Sequence, residues 1–213
     1  MRKVAIFDFD KTLTITDTTK IWVLAFLLVY PLKSLHIIHF IAFSQRRNKN
    51  RNSIKDDLLF SIIRHCDQRK LAKVDQLFCV IVKVFLNRKT LEELRKSKLR
   101  NDITIVVTAS IESAVSMVLK QYTDLIIGTK ITFDDVSHKA TKVGEPCFGR
   151  EKVNRLHELG FLDKNCFKVT ECWSDSNHDD PIMLLSKKRF WVVKSRSKYH
   201  PKSLSSKDIF FYW

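Results

Sequence analysis

The hydrophobic pattern divides the chain into two kinds of segment. Short apolar runs at 3–9 (KVAIFDF), 103–107 (ITIVV), 124–128 (DLIIG), 167–173 (FKVTECW) and 189–193 (RFWVV) have the length and side-chain content of buried strands. After residue 101, amphipathic stretches fall between them and predict helices, SAVSMVLKQY at 113–122 and REKVNRLHELG at 150–160, the second ending in a glycine stop. Strands that are apolar throughout need cover on both faces, so this alternation predicts an α/β fold with a parallel sheet. The segment 14–100 differs. It reads as helical, with SIKDDLLFSIIRHC at 53–66 and KLAKVDQLFCVIVKVFL at 70–86, a loop at 45–52, and no strand alternation. The expected organisation is therefore a core of 1–13 and 101–213 carrying an inserted helical cap at 14–100.

Composition sharpens this picture in two places. The 213 residues carry a formal net charge of +15, which points to anionic partners. Residues 14–100 hold 18 basic and 7 acidic residues, so most of that excess belongs to the cap. Cys66, Cys79, Cys147, Cys166 and Cys172 are odd in number and contain no C-x-x-C pair, and they read as reduced thiols of a cytoplasmic protein. The basic start MRKVAIFDFD has too short an apolar run for a signal peptide, so export is not expected.

Candidate chemistry collects at the ends of the expected strands, where ligands sit in such sheets. Asp8 and Asp10 close the first strand two residues apart, a spacing that on an extended chain sets two carboxylates on one side and calls for a cation. Thr108, Ala109 and Ser110 follow the second strand and precede a helix, where a hydroxyl and backbone N–H groups can hold an anion. Lys152 stands near a helix start, and WSDSNHDDP offers Asp175, Asp179 and Asp180 after a further strand. Carboxylates from two strand ends make a hard oxygen site suited to Mg²⁺ or Mn²⁺. An isolated D-x-D is better read as a solvated turn, and Lys152 or Thr108 alone as a surface lysine or a helix cap. Ser110 and Ser176 read as caps or loop hydrogen-bonders, with phosphate contact the lesser alternative, and His178 as a surface or loop-packing residue. What raises the set above these readings is four motifs in order.

Those four segments resemble the haloacid dehalogenase superfamily of phosphohydrolases, in particular its phosphoserine-phosphatase-like branch with a helical cap after the first motif. DFDKTLT matches D-x-D-x-T-[LV]-T, Thr108 the hydroxyl residue after the second strand, Lys152 the lysine, and SDSNHDDP the acidic S-D-S-x-x-D-x-P. The resemblance implies a Rossmann-like core and phosphomonoester hydrolysis through an aspartyl-phosphate. Asp8 would be the nucleophile and Asp10 the general acid and base. Thr108, Ala109 and Lys152 would bind the phosphoryl group, and Mg²⁺ would be held by Asp8, the Asp10 carbonyl and Asp175, with Asp179 in support. Two positions depart from the pattern. Lys11 stands where glycine is common, and Asp180 where an apolar residue is common; the spacing of four from Asp175 favours Asp179 over Asp180.

The cap bears on the substrate. The run IWVLAFLLVYPLKSLHIIHFIAF at 21–43 precedes a basic cluster at 46–51, and its uninterrupted part of 12 residues falls short of the roughly 20 needed to span a bilayer. Trp22, Phe26, Tyr30, Phe40 and Phe43 beside those cations predict contact of residues 21–51 with an anionic membrane surface, peripheral to the inner face of the cytoplasmic membrane. Packing of the run against the other cap helices is the plainer alternative. GT followed by CFGREKV is also similar to a bacterial branch of the superfamily that dephosphorylates phosphatidylglycerophosphate. The expected substrate is thus a phosphomonoester, with a membrane-lipid phosphate set against a small metabolite such as phosphoserine or a sugar phosphate. Nucleic-acid binding is not expected, because the aromatics near the charge lie in a long apolar run. The C-terminal IFFYW at 209–213 would either add an aromatic anchor or cover a sheet edge.

Overall fold

The computed structural model describes residues 1–31, 59, 62–63, 67–134, 140–194 and 206–213. Its elements are β1 (Arg2–Phe7), α1 (Thr18–Val29), α2 (Gln68–Val82), α3 (Arg88–Arg100), β2 (Ile103–Ile111), α4 (Glu112–Leu119) and β3 (Leu125–Phe133). There follow β4 (Ala140–Val143), α5 (Arg150–Glu158), β5 (Phe167–Ser174), α6 (Asp180–Met183), β6 (Lys188–Val193) and β7 (Asp208–Tyr212). The strands form one sheet in the order β4-β3-β2-β1-β5-β6-β7, parallel throughout except for the antiparallel β3–β4 pair. This is the α/β fold that the alternation of runs predicts.

Side chains of the central strands divide by parity, as a period of two requires. Ala5 and Phe7 of β1 enter one core with α1, α2 and α4, while Val4 and Ile6 enter a second core with Leu156 of α5 and Ile182 and Met183 of α6. On the first face an aromatic ladder crosses three strands. Phe7 stacks on Trp173 at 5.3 Å and Trp173 on Phe190 at 4.0 Å, with Phe211 edge-on to Trp173 at 5.3 Å. Such pairs add about 0.5–1.5 kcal/mol each beyond their burial.

Several elements differ from the sequence expectation. β2 and β3 run past residues 107 and 128: the β2–β3 register shifts over the polar TAS step and pairing resumes at Ile111 with Thr129, while Lys130 pairs with Val143 of β4. β4 has no apolar run to announce it and is formed by pairing with β3, where Thr132 and Thr141 share a hydroxyl hydrogen bond of 3.1 Å. The C-terminal aromatic run is the edge strand β7, with Phe211 and Trp213 against the first core. Cys147 and Cys172 are buried, Cys79 is half-buried and Cys166 exposed, all as free thiols, and burial pushes Cys147 up to about 11.

The helical segment between β1 and β2 leaves and re-enters the sheet through two adjacent chains. The Ile15 N–H donates to the Phe85 carbonyl at 2.8 Å and the Asn87 N–H to the Leu13 carbonyl at 2.9 Å. α1 and α2 are capped by Asp17 and Asp67, whose carboxylates accept from Thr19 N–H and Lys70 N–H. The apolar positions of α2, Leu71, Val74, Phe78 and Val82, follow helical spacing and bury between α1 and α4. α3 lies against β1 and β2. Trp22, Phe26 and Tyr30 of the apolar run are buried in this packing. Phe40, Phe43, the loop at 45–52, Cys66 and most of the helix expected at 53–66 lie outside the described residues. Among the described residues no helix is long and apolar enough to cross a membrane.

One buried carboxylate joins three helices. Asp75 of α2 accepts from the Trp22 indole N–H of α1 at 3.0 Å and from the Ser113 hydroxyl of α4 at 2.6 Å. Burial raises its pKa, and these two donors oppose the rise. Asp75→Ala leaves both donors without their acceptor, and we expect a loss of about 1–3 kcal/mol of stability. Asp75→Asn keeps an acceptor and should lose less, as measured by urea unfolding.

Candidate active site

The order in which successive strands are added reverses about the centre of the sheet: β1 leads outward to β2, and β5 leads outward to β6 on the other side. The carboxyl ends of β1 and β5 therefore flank the switch point at which an open parallel sheet leaves a crevice. The loops from these two strands line a cavity of about 330 Å³.

The Asp8 N–H donates to the Trp173 carbonyl at 2.9 Å, one step past the last paired residues, so Asp8 is held by the β1–β5 ladder. Asp10 is not on the strand. The Leu13 and Thr14 N–H groups both return to the Phe9 carbonyl, at 3.0 and 3.1 Å, and this turn carries Asp10. Strand alternation therefore does not set the two carboxylates side by side, as the D-x-D spacing suggested. The turn does, with Phe9 buried between them, and both line the cavity. The turn also accounts for the departure at Lys11, whose φ of 55° lies in the left-handed region that favours glycine. Its N–H donates to Thr14 Oγ1 at 3.1 Å and to the Thr16 carbonyl at 3.3 Å.

Lys152, in the first turn of α5, is buried with its ammonium between two carboxylates. Nζ lies 2.6 Å from Asp8 Oδ1 and 2.7 Å from Asp179 Oδ1. Asp179 is fixed in turn by the Ser174 hydroxyl, which donates to its Oδ2 at 2.6 Å. Burial pulls the Lys152 pKa down, and the Asp179 and Asp8 charges outweigh it and hold the group above the ordinary lysine value. Gly149 caps α5 at a φ of 56°, and Gly160 stops it at 77°.

Asp10 has different company. Its Oδ1 accepts from the Thr18 N–H at 2.6 Å and its Oδ2 from the Ser110 hydroxyl at 2.8 Å, while Ser110 and Thr18 share a contact of 3.2 Å. Burial raises the Asp10 pKa, and these neutral donors only moderate the rise. The sequence does not single out Thr18 or Ser174, and of the readings it allows for Ser110 the structure shows a hydrogen-bonder, with Asp10 as its partner. A hydroxyl that serves a carboxylate a hundred residues away leaves no local trace. Gly128 was missed too: a Cβ there would meet Glu112 Cα at 2.8 Å and the Ser110 carbonyl at 2.9 Å, so only glycine lets β3 approach this segment.

The remaining expected residues divide. Ala109 lines the cavity, with its carbonyl accepting from Thr129. Thr108 is fully buried and its hydroxyl accepts from the Ser110 N–H at 3.0 Å, a contact directed within the loop. Asp175 lines the cavity, and Asp180 begins α6 beyond it. Ser176 caps the turn at Asn177–Asp179, and the exposed His178 packs on Phe148 at 5.0 Å at the cavity wall.

Among the described residues no group of three acidic, His or Cys side chains is gathered as a ready metal site. The carboxylates of Asp8 and Asp179 are turned onto Lys152, and that of Asp10 onto Thr18 and Ser110. Asp175 receives no hydrogen bond among the described residues. Burial, with Asp179 and Asp10 adding and Lys11 opposing, lifts it to about 7. Burial likewise raises Asp8, against Lys152 and with Asp179, Asp175 and Asp10. Four carboxylates that repel one another, one of them without a donor, are a donor set that fits a divalent cation.

A model of the haloacid dehalogenase-like hydrolases matches residues 5–184. The chain belongs to this family. As a haloacid dehalogenase-like hydrolase it shares its fold with solved structures of low sequence identity. A Bordetella pertussis Tohama I protein of unknown function superposes with a TM-score of 0.74 at 20% identity, covering 90% of each chain. A substrate-bound phosphoserine phosphatase gives 0.56 at 14% identity, over 90% of this chain and 86% of that one. A phosphoserine phosphohydrolase-like protein from Francisella tularensis gives 0.57 at 12% identity, over 91% and 88%. No curated protein sequence matches the chain.

The raised carboxyl groups set the pH dependence of the metal-free protein. Asp175 titrates near 7 when folded and near the ordinary carboxyl value when unfolded. Its contribution to stability is complete below about pH 4 and is lost as pH rises through about 7. We expect metal-free stability to fall over that interval and Asp175→Asn to flatten the fall, as measured by thermal unfolding with chelator present.

Proposed function

We propose that this hydrolase cleaves phosphomonoesters of small metabolites through an aspartyl-phosphate on Asp8, with Mg²⁺ as cofactor. The observation that carries the reading is the unequal environment of two carboxylates in one cavity. Asp8 faces an ammonium, whereas Asp10 faces only neutral donors.

The roles follow from that inequality. An Asp8 carboxylate oxygen attacks phosphorus, and the bond from phosphorus to the ester oxygen breaks. Asp10, which burial holds toward its protonated form, gives its proton to the departing oxygen. The Asp10 carboxylate then takes a proton from the water that attacks the aspartyl-phosphate, and inorganic phosphate leaves with Asp8 restored. Lys152 supports the phosphoryl oxygens and Ala109 offers a backbone edge beside them, while the buried Thr108 holds that edge in place through its bond to the Ser110 N–H. Asp8, the Asp10 carbonyl and Asp175 would hold the Mg²⁺, with Asp179 kept in place by Ser174. When bound, the ion supplies charge neutralisation for the phosphoryl group and for the crowded carboxylates.

Three observations support a small substrate over a lipid phosphate. The cavity of about 330 Å³ has Thr19 and Leu59 of the cap segment at its wall. Trp22, Phe26 and Tyr30, counted toward a membrane-facing surface in the sequence, are buried. The solved structures of similar fold include phosphoserine phosphatases.

The test is Mg²⁺-dependent phosphate release from a panel of soluble phosphomonoesters, phosphoserine and sugar phosphates among them, beside phosphatidylglycerophosphate in mixed micelles. We expect turnover of a soluble ester, abolished in Asp8→Asn and reduced roughly 10²–10⁴-fold in Asp10→Asn. Preference for the lipid would reinstate a membrane role for residues 21–51, and release unaffected by Asp8→Asn would overturn the mechanism.

A further inference from the structure

A second cavity, of about 520 Å³, opens at the amino ends of β1, β5 and β6, and cations dominate its wall. They are Lys3 of β1, Lys168 of β5, Lys187 just before β6, Lys188 at its start, and Arg100 at the end of α3. Lys3 and Asp8 are five residues apart on one strand line, so this cavity lies about 17 Å from the catalytic end of the sheet.

The cavity holds cations that the protein does not neutralise. Its two acidic residues are already engaged. Glu171 accepts from the Ser97 hydroxyl at 2.5 Å, from Asn101 Nδ2 at 2.6 Å and from Arg100 at 3.4 Å. Glu93 is paired with Lys96 at 2.9 Å and lies 3.9 Å from Arg100. Among the described residues the ammonium groups of Lys3, Lys168, Lys187 and Lys188 have no carboxylate partner; only the Lys3 backbone N–H meets one, donating to Asp102 Oδ2 at 2.6 Å. Lys3 and Lys168 are instead direct partners across the β1–β5 ladder, an arrangement of like charges that costs stability. Contact with Lys187, then its charge and that of Lys3, lowers the Lys168 pKa.

The local backbone adds to this construction. Val4 pairs with Val169 and Ala5 with Glu171, so Thr170 is an extra residue in β5, a bulge at the cavity wall. Its hydroxyl is spent on the Val4 carbonyl at 3.0 Å and on Asn101. Phe190 reaches the same wall from the aromatic ladder, presenting a flat apolar surface beside the cations. Uncompensated ammonium groups converging on a concave surface from separate strands are what a multiply charged anion requires.

We propose that this cavity is a second anion site, separate from the catalytic one, that takes a small polyphosphorylated ligand with at least two linked phosphates. Lys168 and Lys187 hold one phosphate between them, which relieves their repulsion, and Lys3, Lys188 and Arg100 complete the charge balance.

The probe is inorganic tripolyphosphate, titrated calorimetrically into the full chain with chelator present, so that no divalent cation helps the anion bind at the other end of the sheet, and repeated in Lys152→Ala to separate the two sites. One equivalent should bind. The double variant Lys168→Ala, Lys187→Ala should weaken binding by roughly tenfold or more. A second double variant with the same change of net charge, Lys120→Ala, Lys130→Ala, should bind as the parent does. Equal weakening in both variants would reduce the effect to overall charge and overturn the site. Unchanged binding in the first variant, no binding in the parent, or binding to anionic vesicles without binding of tripolyphosphate would each overturn it as well.

Discussion

The buried ammonium of Lys152 is the interaction on which the carboxyl end of the sheet is organised. A cation removed from water is tolerated only when it is paired and hydrogen-bonded, and here Asp8 at the end of β1 and Asp179 in the turn after β5 supply that pairing. The requirement runs in both directions. The two carboxylates tie α5 to β1 and β5 through a single nitrogen, and Ser174 keeps Asp179 aimed at it. Asp175 stands outside this pairing, and burial keeps its pKa raised.

The second carboxylate of the opening motif shows how local backbone converts similarity into difference. Asp8 stays in register with β5, whereas the turn after Phe9 lifts Asp10 toward Thr18 and Ser110. Thr18 begins α1, so the first helix beyond β1 donates its leading N–H directly to Asp10, an arrangement that favours negative charge at a helix start. The helical insertion is thus part of the electrostatics of the site as well as its wall. Asp75 strengthens the same connection from the far side, through Trp22 and Ser113.

Charge is also sorted along the strands. At the carboxyl ends of β1 and β5 the described residues gather aspartates around Lys152, with Lys11 at the wall; at the amino ends of the same strands they gather lysines around two engaged glutamates. Between the two poles lie the apolar middles of the strands and the ladder of Phe7, Trp173 and Phe190, which keeps the two sets of charges apart in a medium that screens them poorly.

The apolar runs at 3–9, 103–107, 124–128, 167–173 and 189–193 determined that a parallel sheet would form, because strands with no polar face must be covered on both sides. The order of the four motifs placed Asp8, Asp10, Lys152, Asp175 and Asp179 at strand or helix ends for the same local reason. Partnership was beyond the sequence. That Lys152 is shared by Asp8 and Asp179, that Ser110 and Thr18 serve Asp10, and that Gly128 must remain small beside Ser110 are contacts between distant residues whose identities imply no neighbour. The same holds for β4, which exists because β3 offers an edge, and for the burial of Trp22, Phe26 and Tyr30. Apolar bulk is indifferent to whether protein or lipid covers it, and only the packing of α1 against α2 decided that protein does.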